Sequence, residues 1–384
     1  MSDQFVPDWN PRDPDVLADQ RSAYDAMREQ CPVAYSDAMQ WSVFLHADVM
    51  AVLADPETFT NSSRHHAIPN AMNGTEHATH RAMLARFFTD ARMAAIEPTC
   101  REIARTAVQA AVAAGSSDAV TGLAEPIAIR TMCAFLGWPD ATWTRVRDWI
   151  HGNREATFRQ DRTASHRLAA EYAAMVTDVL DQHRQEGITG DIMADLMATT
   201  LDGHHWTDDD IVDTLRNWIA GHGTVAAAIG ITIAAIAEDA ALQRRLRDQP
   251  SLIDVAIDEI PRSDGPLVAN SRTTSRPVTI GGCAIGEGER VSLMWIAADR
   301  DPRAFAQPDA IDLDRSQEGN LLYGTGIHLC LGRSLARLEM QAAIEELLAG
   351  TEEFALAPGT TLRRETYPGN GFIAVPIELR GGGA

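Results

Sequence analysis

Between Asp90 and Glu259 apolar residues recur every three to four positions, as in ARMAAIEPTCREIARTAVQAAVAA and HRLAAEYAAMVTDVLDQHRQ, the spacing of helices that bury one face. From Trp218 to Ala237 the run WIAGHGTVAAAIGITIAAIA is apolar all round. It approaches membrane-spanning length, but its Ala, Gly, Ile and Thr content and the enclosed His222 read as a helix through a protein core. Thr207, followed by three Asp, is the expected N-cap of that helix, with acidic charge at the positive end of its dipole. The next segment, EDAALQRRLRDQP, is amphipathic and closed by Pro250. Strand patterns are short and scattered: Trp41 to Leu45, Val278 to Cys283, Arg290 to Trp295 and Gly371 to Leu379. No repeat, linker or low-complexity stretch divides the chain, apart from the tail GGGA. The pattern predicts a mainly α protein with small β-sheets assembled from distant parts, a single large domain over residues 1–384.

Composition narrows the function. The 384 residues are 45% hydrophobic and 23% charged, which excludes a disordered chain. Against 33 Lys and Arg stand 54 Asp and Glu, a net charge of -21 that repels phosphate backbones and anionic membrane surfaces. Neither nucleic acid nor membrane is an expected partner. Five cysteines, Cys31, Cys100, Cys133, Cys283 and Cys330, lack the spacing of a disulfide scaffold. With an N-terminus that carries no signal or anchor pattern, they predict a cytoplasmic protein.

The densest chemistry is NLLYGTGIHLCLGRSLARLE, from Asn320 to Glu339. Gly324, Gly326 and Gly332 punctuate a tight loop around Cys330 that runs into an amphipathic helix. Glycines permit positive φ and close approach to a flat group, and helix-start N–H groups stabilise a thiolate. Cys330 reads as an anionic ligand; the alternative is a structural cysteine beside a glycine-rich loop.

YGTGIHLCLG resembles the haem-binding signature of cytochrome P450s, F-G-x-G-x-H-x-C-x-G, with Tyr323 in place of Phe. The resemblance implies the P450 fold, haem b as cofactor, and Cys330 as the proximal thiolate of its iron. It places Tyr323, Gly324 and Gly332 around the sulfur and His328 near a haem propionate. Other markers follow the same family order. Glu259 and Arg262, in DEIPR, share a helical face and match its E-x-x-R ion pair, with Arg315 as third partner. Pro261 stands where the family has Leu, and is expected to bend or end that helix. In EHATHR, His77 and Arg81 are four apart, so both point from one face as a carboxylate clamp needs; a solvated basic face is the alternative. They match the family's propionate-binding H-x-x-x-R, and Arg272, in NSRTT, matches a further propionate arginine. His65, His66, His77 and His80 also allow a zinc alternative, although no nearby Cys or carboxylate completes the set.

In the apolar helix, Ala220, Gly221, His222, Gly223 and Thr224 match the family's A-G-x-(acid)-T above the haem, with the acid absent. Small residues there leave room over the iron, and the Thr224 hydroxyl is expected to deliver protons through ordered water. The alternative is a hydroxyl bonded back to the preceding turn. With Gly223 in the acid's place, proton supply falls to water, to His222, or to an unplaced residue.

The resemblance covers Glu76 to Pro376, and NLLYGTGIH, LRNW and PLVANSRTT loosely resemble the thiocarbamate-degrading and self-sufficient bacterial subgroup. It implies a monooxygenase that inserts one atom of O2 into a small or medium apolar substrate. The expected pocket is Ile68, Met72, Ile219, Ala220, Leu267, Val268, Ala269, Asn270 and Phe372. The chain ends soon after the haem region, which implies no fused reductase. Electrons are then expected from a separate ferredoxin and ferredoxin reductase, docking on Arg86 and Arg333. Two alternatives stay open: a haem-thiolate enzyme that uses peroxide or reduces a small ligand, and a haem-thiolate binding or sensing protein without turnover.

Overall fold

The apolar run forms the longest helix, Asp208–Glu238, hereafter the long helix. Its start is a capping box: Thr207 Oγ1 accepts from the Asp210 N–H at 3.2 Å, and Asp210 Oδ2 accepts from the Thr207 N–H at 2.8 Å. Every residue from 226 to 234 is buried, as expected of a helix apolar on all sides. Helices Glu125–Leu136, Ile253–Ser263 and Arg333–Gly350 pack against it, and Arg333–Gly350 also packs along Asp90–Ala114. The computed structural model describes residues 7–61 and 67–381, so His65 and His66 lie outside the described residues. The chain is 58% helical. Two stretches, Ala119–Leu136 and Asp208–Glu238, are long and apolar enough to cross a membrane, but most of each is buried inside the fold.

The main sheet joins distant segments in the order Val33–Ser36, Gln40–Val43, Arg290–Met294, Ala269–Thr274 and Phe59–Thr60. Gln40–Val43 runs parallel to Arg290–Met294, with Trp41 opposite Val291. Two expected strands are each divided. Val278 to Cys283 is a hairpin, Val278–Ile280 and Cys283–Ile285, folded where Gly281 and Gly282 take φ of +56° and +84°. Gly371 to Leu379 breaks into Phe372–Ala374 and Pro376–Gly381, which pair with different partners. At the break, the Val375 N–H goes to Asp118 Oδ1 at 3.1 Å, and Pro376 has no N–H to give.

Pro261 neither ends the helix at that point nor removes the pair around it: helix Ile253–Ser263 runs two residues past it. Arg262 donates through Nε to Glu259 Oε2 at 2.8 Å and through Nη2 to Oε1 at 3.0 Å, and both side chains are fully buried. Arg315 Nε adds a third bond to Glu259 Oε1 at 2.9 Å. Arg262 Nη1 also reaches the Asp299 carbonyl at 2.6 Å, so this network ties the helix to the segment ahead of the cysteine loop.

Candidate active site

Two glycines shape the cysteine loop through positive φ: Gly324 at +66° and Gly326 at +70°. A Cβ on Gly326 would also press on the Leu53 carbonyl at 3.1 Å. The Cys330 N–H closes the loop on the Tyr323 carbonyl at 2.9 Å. Gly332 departs from the expected role, since it takes an ordinary φ of -86° and caps helix Arg333–Gly350. Its N–H instead bonds the Cys330 thiol and favours the thiolate. Cys330 is the exposed one of the five free cysteines. The surrounding protein strips enough hydration from the thiol to push it up, while Gly332, Arg81 and Arg333 pull it down. The Tyr323 hydroxyl that replaces the family's Phe hydrogen donates to Asp258 Oδ1 at 3.1 Å, and Arg333 lies over its ring at 5.3 Å. Burial and the Asp258 charge raise the phenol well above its ordinary value.

Beside the sulfur is a cluster of cationic and imidazole groups. The His77 and His328 rings lie 4.2 Å apart, and Asn61 Nδ2 is 3.2 Å from His328 Nδ1. Arg81 donates to the Leu329 carbonyl, and buried Arg272 spends one bond on the Ser271 carbonyl at 3.0 Å. Lost hydration, His77, Arg272 and Arg81 together push His328 down to about 3. Burial lowers Arg272 to about 10 and, with Arg81 and His80, lowers His77. No carboxylate among the described residues pairs with this cluster, and His77 Nε2 is buried without a partner. Such donors call for an anion. Two propionates beside a thiolate-bound iron meet that need, so these residues fit haem b.

Among the described residues the zinc alternative finds no support. His80 turns its Nδ1 to the Glu76 carbonyl at 2.9 Å and stacks on Trp206, and no group of three metal-ligating side chains occurs among the described residues.

On the long helix, Ala220, Gly221 and Thr224 lie on a half-open stripe, and no hydrogen bond joins the Thr224 hydroxyl to another described residue. The expected alternative, a bond back to the preceding turn, is made by Thr232 instead. His222 is a correction. It is buried, with Nδ1 2.8 Å from the Trp218 carbonyl and Nε2 3.1 Å from Glu339 Oε1, so both ring nitrogens are engaged away from that stripe. Gly223 faces a third direction. It lines a narrow cavity with Glu125, His151, Arg154, Glu365 and Phe372, where His151 Nε2 meets Glu125 Oε1 at 2.6 Å and Arg154 Nη1 meets Glu365 at 2.8 and 3.0 Å.

The expected pocket residues separate. Ile68, Met72 and Ile219 are buried in one apolar cluster, against which Ala220 and Leu331 of the cysteine loop also pack. Phe372 is buried against the long helix, with Arg364 over its ring at 4.3 Å. Val268 is a correction: it packs with Trp9, Tyr24 and Phe44 under the N-terminal segment, with Ala269 against the same cluster. Leu267 packs against the cluster of the main sheet, and Asn270 is exposed. Sequence reasoning missed Asn61, Glu339 and the Arg154–Glu365 pair. Glu339 carried a signal, an acid among the apolar residues of SLARLEMQAAI; the others are brought in from remote segments.

A helix-rich fold with an exposed cysteine at a helix start, beside arginines and histidines that pair with no carboxylate among the described residues, defines a haem-thiolate type of protein. Comparison with known proteins agrees. The family model for cytochrome P450 matches residues 140–373. The vitamin D(3) 25-hydroxylase of Pseudonocardia autotrophica is 30% identical over 379 residues, 93% of each chain. The crystal structure of CalO2 superposes with a TM-score of 0.86 at 27% identity, covering 98% of this chain and 100% of that one. A Bacillus megaterium P450 solved in complex with testosterone gives 0.83 at 26% identity, covering 96% and 99%. The chain belongs to the cytochrome P450 family. It is a haem b monooxygenase acting on organic substrates with O2 and electrons from redox partners.

Proposed function

We propose that Cys330 is the iron ligand and that His77, Arg81, Arg272 and His328 hold the haem propionates, in one cytoplasmic catalytic domain spanning residues 1–384. The observation that carries this reading is the exposed Cys330 beside Arg81, Arg272, His77 and His328, which pair with no carboxylate among the described residues. Bound haem supplies the oxygen activation by which one atom of O2 enters a substrate C–H bond and the other leaves as water. The protein's share is to exclude bulk water, position the substrate and hold protons. Thr224 Oγ1, with no hydrogen-bond partner among the described residues, is the hydroxyl that holds and relays a proton on the half-open stripe. In place of the family's acid, the Glu365 carboxylate beside Gly223 accepts and passes on protons toward it, and His151, exposed and paired with the buried Glu125, connects that cavity to solvent. The Ile68, Met72 and Ile219 cluster and the stripe at Ala220 favour a medium-sized apolar substrate. The relatives' names, a vitamin D(3) hydroxylase and a testosterone-bound P450, support that class.

A ferredoxin, reduced by its reductase, supplies the electrons and docks at Arg333, exposed three residues after Cys330. Arg86, the second expected docking cation, is exposed but tethered to Thr199 Oγ1 at 2.7 Å. The reduced, CO-bound protein is expected to show the red-shifted Soret band of thiolate ligation, and Cys330→Ser to abolish it. Persistence of that band in Cys330→Ser would overturn the assignment.

A further inference from the structure

A second concavity opens where the N-terminal segment, the turn after Val33–Ser36 and the end of helix Trp143–Arg159 meet. Its walls include Arg12, Met39, Thr157, Gln160, Arg290 and Tyr367, and no acidic residue lines it. This is unusual in a chain of -21, where Arg28, Arg154, Arg262, Arg300, Arg303 and Arg364 are all held by carboxylates. Neither Arg12 nor Arg290 makes an ion pair with a described residue, and Arg290 Nε is buried with no hydrogen-bond partner. A buried guanidinium N–H left unpaired costs free energy that an incoming acceptor recovers. The chain contains no lysine, so every non-histidine cation is a planar fork matched to a carboxylate.

The same two elements wall this cleft and the narrow cavity beside Gly223. On helix Trp143–Arg159, Thr157 faces the cleft and Arg154 the cavity, about 5 Å apart along the axis. In the C-terminal hairpin region, Tyr367 faces the cleft while Glu365 and Phe372 face the cavity. Met39 and Tyr367 add apolar surface next to the two arginines.

We propose that this cleft receives the anionic end of an amphipathic substrate, a carboxylate held by Arg12 and Arg290, with its apolar chain directed along helix Trp143–Arg159 toward Thr224. The proposal rests on the monooxygenase reading and names its substrate class: apolar organic acids.

The test titrates the haem-loaded protein with dodecanoate and with methyl dodecanoate, following heat release and the haem spectrum together. The acid is expected to bind at least about tenfold tighter than the ester and to shift the spectrum. Arg12→Gln with Arg290→Gln is expected to remove that preference while leaving ester affinity unchanged; Arg290→Lys, which keeps the charge, retains most of it. Raised salt weakens the acid alone. Equal affinity for acid and ester, a preference that survives the double variant, or acid binding with no spectral change would each overturn the proposal. A protein lacking the thiolate Soret band would fail the haem assignment instead, and the calorimetric preference reads out separately from it.

Discussion

A Cβ at residue 223 would lie 2.9 Å from Arg154 Nη2 and 2.7 Å from Ile150 Cγ2, so helix Trp143–Arg159 occupies the volume into which the family's acid projects. The glycine is a packing requirement as well as a missing acid. Arg154 ends a flexible side chain, but Ile150 is buried and cannot yield cheaply. Gly223→Ala is expected to destabilise the protein by about 1–3 kcal/mol, measured by denaturant unfolding. In an Ile150→Ala background the same substitution should cost much less. An equal cost in both backgrounds would show that the clash is relieved elsewhere.

Glu365 is the proposed substitute for that acid, approaching from a different direction. Its carboxylate is held by Arg154, and a Cβ on Gly371 would lie 3.2 Å from its Oε2 and 2.8 Å from the Ala227 Cβ, one turn past Gly223. Glu365→Gln keeps the shape and removes the proton-accepting charge. It is expected to lower product formed per reductant consumed several-fold, to release more peroxide, and to enlarge the solvent isotope effect, with the CO-bound spectrum unchanged. Unaltered coupling would assign Glu365 to holding Arg154 alone.

The His222–Glu339 pair has a structural meaning. Glu339 is fully buried, its Oε2 has no partner, and burial raises its carboxyl while His222 opposes that rise. His222→Leu leaves that group alone in the core, at an expected cost of about 3–5 kcal/mol. Adding Glu339→Leu should recover part of the loss, which a double-mutant cycle measures. The CO-bound spectrum should survive in both. Normal stability with lost turnover in His222→Leu would instead restore His222 to the proton path.

The parts legible in the sequence were those set by local pattern. Thr207 and the Asp residues after it announce the long helix, and the spacing around Cys330 announces the loop, because capping and turn chemistry act within a few residues. Directions were not legible. Consecutive residues 222, 223 and 224 face Glu339, Arg154 and the half-open stripe, and helical geometry alone does not say which neighbour each face meets. Val268 was misassigned for the same reason, since which side of its segment meets the N-terminal cluster is decided by Trp9 and Tyr24, far earlier in the chain. The hairpin at Gly281 and Gly282 was missed because its β-branched and apolar residues read as one continuous strand, with the glycine pair inside it.

Asp299 makes stability depend on pH in a direction opposite to that of most carboxylates. It is fully buried beside Glu259, and burial pushes its carboxyl up to about 8 despite the Leu321 N–H at 2.8 Å and the nearby Arg262. An unfolded Asp releases its proton near pH 4, so between about pH 4 and pH 8 the native state holds a proton that the unfolded chain has lost. Stability from this group is therefore complete below pH 4 and declines as pH rises toward 8. Asp299→Asn keeps an Oδ1 acceptor for Leu321 and cannot ionise. Urea unfolding at pH 5, 6, 7 and 8 is expected to show wild type losing stability relative to the variant with each step, with the gap widest at pH 8. Parallel profiles would mean that Asp299 is ionised in the fold and that Arg262 compensates its charge.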